Sequence, residues 1–126
     1  MINSNKTSYT VNGATDKTVA VSKMLHELGV PVHHRGYALL RDAIVLVSED
    51  PSLLTGFVKQ VYPKLADSGD ISARAAERAI GRAIDVAWHR CDDTVKNKYF
   101  SNAVFSNGIK PSIKEFVKYV VANLRA

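Results

Sequence analysis

A chain of 126 residues can enclose one hydrophobic core but not two, which excludes a multidomain enzyme with separate cofactor and substrate domains. At 46% hydrophobic and 23% charged residues it is globular in composition, and a long disordered chain is excluded as well. Lys and Arg number 17 against 12 Asp and Glu, giving a net charge of +5 and a pI near 9.4; that balance suits a polyanionic partner and is silent about fold.

Residues 1–15 are polar, with Asn3, Ser4, Asn5, Thr7, Ser8, Asn12 and Gly13, and read as a flexible arm ahead of a domain over 16–126. Val21, Met24, Leu25 and Leu28 then fall at i, i+3, i+4 and i+7, one apolar stripe of a first helix. Asp16 suits its N-cap, Gly29 the position after its end where φ is positive, and Pro31 blocks continuation. A second helix follows Gly36, with Tyr37, Leu40, Ile44 and Val47 on one face and Glu49-Asp50-Pro51 as its stop. A third starts near Pro51 and carries Leu54, Phe57, Val58, Val61 and Leu65; Pro63 predicts a kink or restart, because its ring clashes with the preceding turn.

Asp67-Ser68-Gly69-Asp70 is a turn, and an Ala-rich fourth helix spans 72–89. Asp92-Asp93 opens a weaker fifth helix ending before Ser106-Asn107-Gly108. Ser112-Ile113-Lys114-Glu115 is a capping box, opening a sixth helix with Ile113, Phe116, Val117, Val120 and Leu124 inward. No stretch alternates with period 2. The expected fold is all-α, a single six-helix domain, and residues 57–89 have the outline of a helix-turn-helix, whose second helix enters the major groove.

The fourth helix divides cleanly. At 100° per residue, Arg74, Glu77, Arg78, Gly81, Arg82 and Asp85 fall at about 0°, −60°, 40°, −20°, 80° and 20°. Ala76, Ile80, Ala83 and Ala87 lie on the opposite side, a small apolar face that packs inward. Arg can grip guanine O6 and N7 with two parallel hydrogen bonds, and Glu can accept from the cytosine amino group. The candidate base-contacting residues are therefore Arg74, Glu77, Arg78, Gly81 and Arg82; Gly81, costly in mid-helix, would admit a phosphate or base closely. The competing assignment is a solvated charged face.

Several motifs together resemble the C-terminal effector domain of the stage-zero sporulation response regulator of endospore-forming bacteria. They are His26-Glu27-Leu28-Gly29-Val30-Pro31, Arg35-Gly36-Tyr37 and Leu40-Arg41-Asp42-Ala43-Ile44, then Val61-Tyr62-Pro63, Glu77-Arg78-Ala79-Ile80, Ala83-Ile84-Asp85-Val86-Ala87-Trp88, Lys110-Pro111-Ser112 and Glu115-Phe116. The resemblance covers about residues 16–125. It implies a six-helix DNA-binding domain, a fourth helix that reads the major groove, and transcription control through a short box bound by two copies in tandem. By position, Glu77 and Arg78 match the family's recognition residues. Ala75, with Arg74 beside it, stands where the family has Arg, and Gly81-Arg82 where it has Arg-His, so the same DNA box is not expected. Fifteen residues ahead of the effector fold leave no room for a phosphoreceiver domain; the expectations are a standalone regulator or a piece of a longer protein.

Candidate phosphate contacts are Arg35, Lys59, Lys64, Arg90, Lys110 and Lys114, each weighed against an ordinary solvated charge. His26, His33 and His34 lack metal-site spacing and read as packing or capping residues. Cys91 is the sole cysteine, which excludes an intrachain disulfide and fits a reducing compartment. His89 lies two residues away and cannot face it on a helix, so no nucleophile is assigned. No cofactor, metal or catalytic residue is expected. No apolar run reaches the roughly 18 residues of a membrane span, and Met1-Ile2-Asn3-Ser4-Asn5-Lys6 lacks a signal-peptide core, so a cytoplasmic, nucleoid-associated protein is expected. Double-stranded DNA is the leading partner, with a homodimer or tandem pair on DNA and RNA polymerase as further ones. The alternative, motivated by Ala75 and Gly81, is a protein-interaction module antagonising a full-length sporulation-type regulator or RNA polymerase, since a decoy need not read bases.

Overall fold

Apolar side chains at three- and four-residue spacing fold into six α-helices among the described residues, which are 12–67, 70–100 and 110–125 of a computed structural model. The helices are α1 (Asn12–Glu27), α2 (Arg35–Glu49), α3 (Phe57–Asp67), α4 (Ala73–Arg90), α5 (Asp93–Tyr99) and α6 (Ile113–Arg125). No strand occurs among them, so the all-α expectation holds. The proposed arm lies largely outside the described residues, as do Ser68, Gly69 and the Ser106-Asn107-Gly108 segment. No helix of the described residues is long and apolar enough to cross a membrane.

Each helix buries the stripe its spacing defines. Val21, Leu25 and Leu28 meet Leu40, Ala43, Ile44 and Val47 of α2, joined by Val61 and Leu65 of α3, Ile80, Ala83 and Ile84 of α4, and Phe116, Val117 and Val120 of α6. The central helix is α2, which packs against α1, α3, α4 and α6. Trp88, Phe100, Phe116 and Tyr119 form an aromatic cluster with Phe100 at its centre, its ring 5.4–5.8 Å from the other three. Edge-on and tilted geometries of this kind hold α4, the end of α5 and α6 together.

Helix ends follow the local chemistry. Gly29 has φ 88°, and the Gly29 N–H to His26 and Val30 N–H to Leu25 bonds (3.0 and 2.9 Å) close α1 with two reversed carbonyl contacts. His26 thus serves this end through its carbonyl. Ser72 and Asp92 cap α4 and α5 by accepting from the N–H groups of Ala75 and Val95. The capping box forms in both directions, Glu115 N–H to Ser112 Oγ at 3.1 Å and Ser112 N–H to Glu115 Oε1 at 3.0 Å.

Four sequence expectations need correction. Asp16 is not a cap, because α1 already begins at Asn12. Pro51 starts a short 3-10 turn (Pro51–Leu54), capped by Asp50, and α3 begins only after Gly56, where φ is 72°. Of the two outcomes expected at Pro63, the restart does not occur, because α3 runs through it to Asp67. Val58 faces solvent, 60% exposed, because the one-residue step from Phe57 turns it off the buried stripe.

Candidate nucleic-acid interface

The fourth helix is held against α2 by the smallness of both partners. Ala76, Ala79, Ile80, Ala83, Ile84 and Ala87 are its buried residues. Gly36, in the first turn of α2, lies so close that a Cβ there would stand 2.1 Å from the Ala79 carbonyl oxygen. Only glycine permits this approach. His34 caps α2 at the same place, its Nδ1 accepting the Gly36 N–H at 2.9 Å. The capping assignment for the histidines therefore applies to His34, although Ser, Thr, Asp and Asn are the usual N-cap residues.

With its alanine face buried, α4 presents the predicted charged face outward. Arg74, Glu77, Arg78 and Arg82 are exposed, and Gly81 and Asp85 are half-buried. Two grooves flank this ridge. One, of about 250 Å³, is bounded by Ala75, Arg78, Ala79 and Arg82 of α4 and by His34 and Arg35 at the start of α2. The other, of about 380 Å³, runs between Arg78, Gly81, Arg82 and Asp85 of α4 and Lys110, Pro111, Ser112 and Ile113 leading into α6. The N-terminal ends of α2 and α6 thus stand on either side of the ridge. A helix N-terminus favours anions, through its free N–H groups and the positive end of its dipole.

The six candidate phosphate contacts are all exposed but do not share one groove. Arg35 and Lys110 line the two grooves beside α4, and Lys114 sits in the first turn of α6. Lys59 lies on α3. Lys64 lines a separate groove with Asp42, Val45, Leu46 and Leu65 between α2 and α3. Arg90 lines another, with His26, His33 and the Gly29–Val32 turn.

Two features of the site escape pattern reading. Lys110 is not free: its Nζ forms an ion pair with Asp85 Oδ1 on the outward face of α4, with both side chains nearly half exposed. The angular position of Asp85 was a signal, but nothing in the spacing tied residue 110 to it. Gly81 is covered in part by α6, since a Cβ there would meet Ile113 Cδ1 at 3.7 Å. Behind the ridge, the Tyr62 phenol is pushed up to about 12, first by burial and then by the Glu77 carboxylate, so it remains a neutral packing group. It stacks edge-on against Phe57, 5.5 Å between centroids.

Among the described residues, Cys91 and His89 each contact a backbone carbonyl. Burial is the main influence on the Cys91 thiol and raises its pKa, which disfavours the thiolate a nucleophile requires. Its Sγ lies 3.6 Å from the Asp92 carbonyl oxygen. His89 turns back to the Asp85 carbonyl, 2.8 Å from Nδ1. Among the described residues no group of three or more His, Cys, Asp or Glu side chains is placed to hold a metal ion.

The model of the family described as sporulation initiation factor Spo0A C terminal matches residues 21–124 of the chain. The matched span takes in α2 to α5, the last seven residues of α1, all of α6 but its final residue, and every residue of the ridge and its two grooves.

Proposed function

The chain belongs to the Spo0A C-terminal family of sporulation initiation factors, and from that premise we propose that it is a sequence-specific regulator of transcription that binds double-stranded DNA. The carrying observation is the outward ridge of Arg74, Glu77, Arg78 and Arg82, backed by alanines and flanked by two helix N-termini. An α-helix fits the major groove, and the arginines and glutamate on this ridge match donor and acceptor patterns at base edges. Arg78 and Arg82 border both grooves and so occupy the middle of the contact.

In this arrangement α4 enters the groove while α2 and α6 approach the two phosphate strands that border it. Arg35 serves one side, and Lys110 with Lys114 the other. Phosphate contacts fix register and base contacts select sequence. The protein acts within the cytoplasm on the nucleoid, with two copies side by side on the box and RNA polymerase as the downstream partner.

Selection of bound sequences from a random duplex pool tests the proposal directly, by yielding the box, its copy number and spacing. Arg78→Ala is expected to weaken binding to that box by about 1–3 kcal/mol and to relax preference at one base position. If Arg78→Ala binds selected and random duplexes as the parent does, α4 does not read the groove. If the parent retains no duplex at low salt, the protein-interaction reading takes its place.

A further inference from the structure

Asp85 of the Asp85–Lys110 ion pair places a carboxylate at the α6 side of a surface that must approach a polyanion. Asp85 stands at about 20° on α4, between Arg78 and Gly81 in angle. It lies one turn beyond Gly81 and Arg82, where the ridge meets the segment leading into α6. An unpaired carboxylate here would be repelled by phosphates and by acceptor atoms at base edges. Lys110, across the groove, neutralises it. The same pairing withholds from DNA the cation that lines this groove on the α6 side. Both groups are about half exposed, so the pair is open to exchange with a ligand. Exposed pairs of this kind contribute little to stability. The carboxylate is therefore not explained by the fold it sits on.

We propose that Asp85 is a specificity-determining residue of the DNA-binding face, which exchanges Lys110 for a base-edge amino group when the correct sequence is bound. This rests on the assignment of α4 to the major groove. A cytosine N4 or adenine N6 amino group opposite Asp85 donates to the carboxylate and replaces the ammonium, which then turns to a phosphate. Guanine or thymine at that position presents an acceptor, the carboxylate keeps Lys110, and that phosphate contact is not made. One wrong base thus removes two contacts together. The carboxylate also opposes non-specific binding, because discrimination gains from a group that repels the wrong partner as well as from one that attracts the right one.

The test compares a selected box, the same box with the base pair facing Asp85 replaced, and a random duplex, across a range of salt. In the parent the selected box shows a salt slope steeper by about 0.9 than the random duplex from this exchange, the increment for one additional phosphate contact. Asp85→Ala leaves Lys110 free on every sequence. Random-duplex binding tightens, its slope steepens by about 0.9, and the selected-to-random ratio falls about fivefold or more. Lys110→Ala flattens the selected-box slope by about 0.9 and lowers the selected-to-random ratio, because random-duplex binding loses only the neutralisation of the carboxylate. Both side chains are about half exposed and alanine favours helix at 85, so circular dichroism melts serve only to confirm folding. If Asp85→Ala leaves the selected-to-random ratio and both slopes unchanged while the parent binds its box selectively, the exchange is refuted and the major-groove assignment stands. If Lys110→Ala weakens both duplexes equally, Lys110 is an ordinary phosphate contact and the exchange is likewise refuted. A parent without sequence preference refutes the groove assignment itself.

Discussion

Two glycines show how differently one residue type can act on the same interface. At Gly36 an added Cβ would enter the Ala79 backbone, and neither partner can move without displacing a helix. Gly36→Ala is expected to destabilise the domain by about 3 kcal/mol through overpacking, measured by urea unfolding, and to push α4 away from α2. At Gly81 the added methyl would rest in ordinary contact with Ile113. Gly81→Ala is expected to stabilise by about 1 kcal/mol, since alanine is the better helix former. That corresponds to roughly 4 °C in melting temperature for a domain of this size. A lower melting point would show that α6 cannot accommodate the methyl. If the Gly81 backbone approaches DNA, the same substitution weakens box binding although the fold is firmer. Stability and affinity moving in opposite directions is the signature that separates an interface glycine from an incidental one.

At the scale of elements, most contacts join neighbouring helices through apolar stripes, but α1 and α5 are joined by charge. Glu27, the last residue of α1, accepts from Lys98 Nζ at 3.0 and 2.8 Å and from the Tyr99 hydroxyl at 2.5 Å. The Lys98 and Tyr99 hydrogen bonds hold the Glu27 carboxyl below its usual value of 4.5. A carboxyl lowered in the folded state stabilises above its unfolded value, and that contribution is lost as pH falls through the folded one. The parent is therefore expected to lose stability on acidification below about pH 4.5 more steeply than Glu27→Gln, as read by thermal melts between pH 3 and pH 7. Parallel curves would mean the tether contributes nothing to the acid limb. Sequence spacing revealed the stripes of α1, α2, α4 and α6 because burial imposes the 3.6-residue period on each helix by itself. It revealed the capping box for the same reason, since its partners lie three residues apart. It missed the Glu27–Lys98–Tyr99 tether and the Asp85–Lys110 pair, whose partners lie 71, 72 and 25 residues apart and meet only through the packing of whole helices. Of its two readings of Pro63, a restart fails because the local cost of a proline is not decisive. Tyr62 and Leu65 on either side of it are buried, and that packing keeps α3 continuous.

Across the whole molecule, what matters is where the net charge of +5 is exposed relative to the ridge of α4. Arg35 borders that ridge directly, whereas Lys64 and Arg90 line grooves formed by other parts of the surface. Counterion release makes this difference measurable, because each phosphate neutralised contributes about 0.9 to the slope of log K against log salt. Arg35→Ala is expected to flatten that slope by about 0.9 for both selected and random duplexes, since a phosphate contact does not depend on sequence. The paired substitution Lys64→Ala with Arg90→Ala removes twice the charge and is expected to leave the slope nearly unchanged. General attraction would instead weaken binding in proportion to the net charge removed, so the double variant would show the larger loss. An equal or greater flattening in the double variant would mean that DNA wraps well beyond α4 and that the two grooves do not bound the contact. Retention of the parent slope by Arg35→Ala would remove the N-terminus of α2 from the interface.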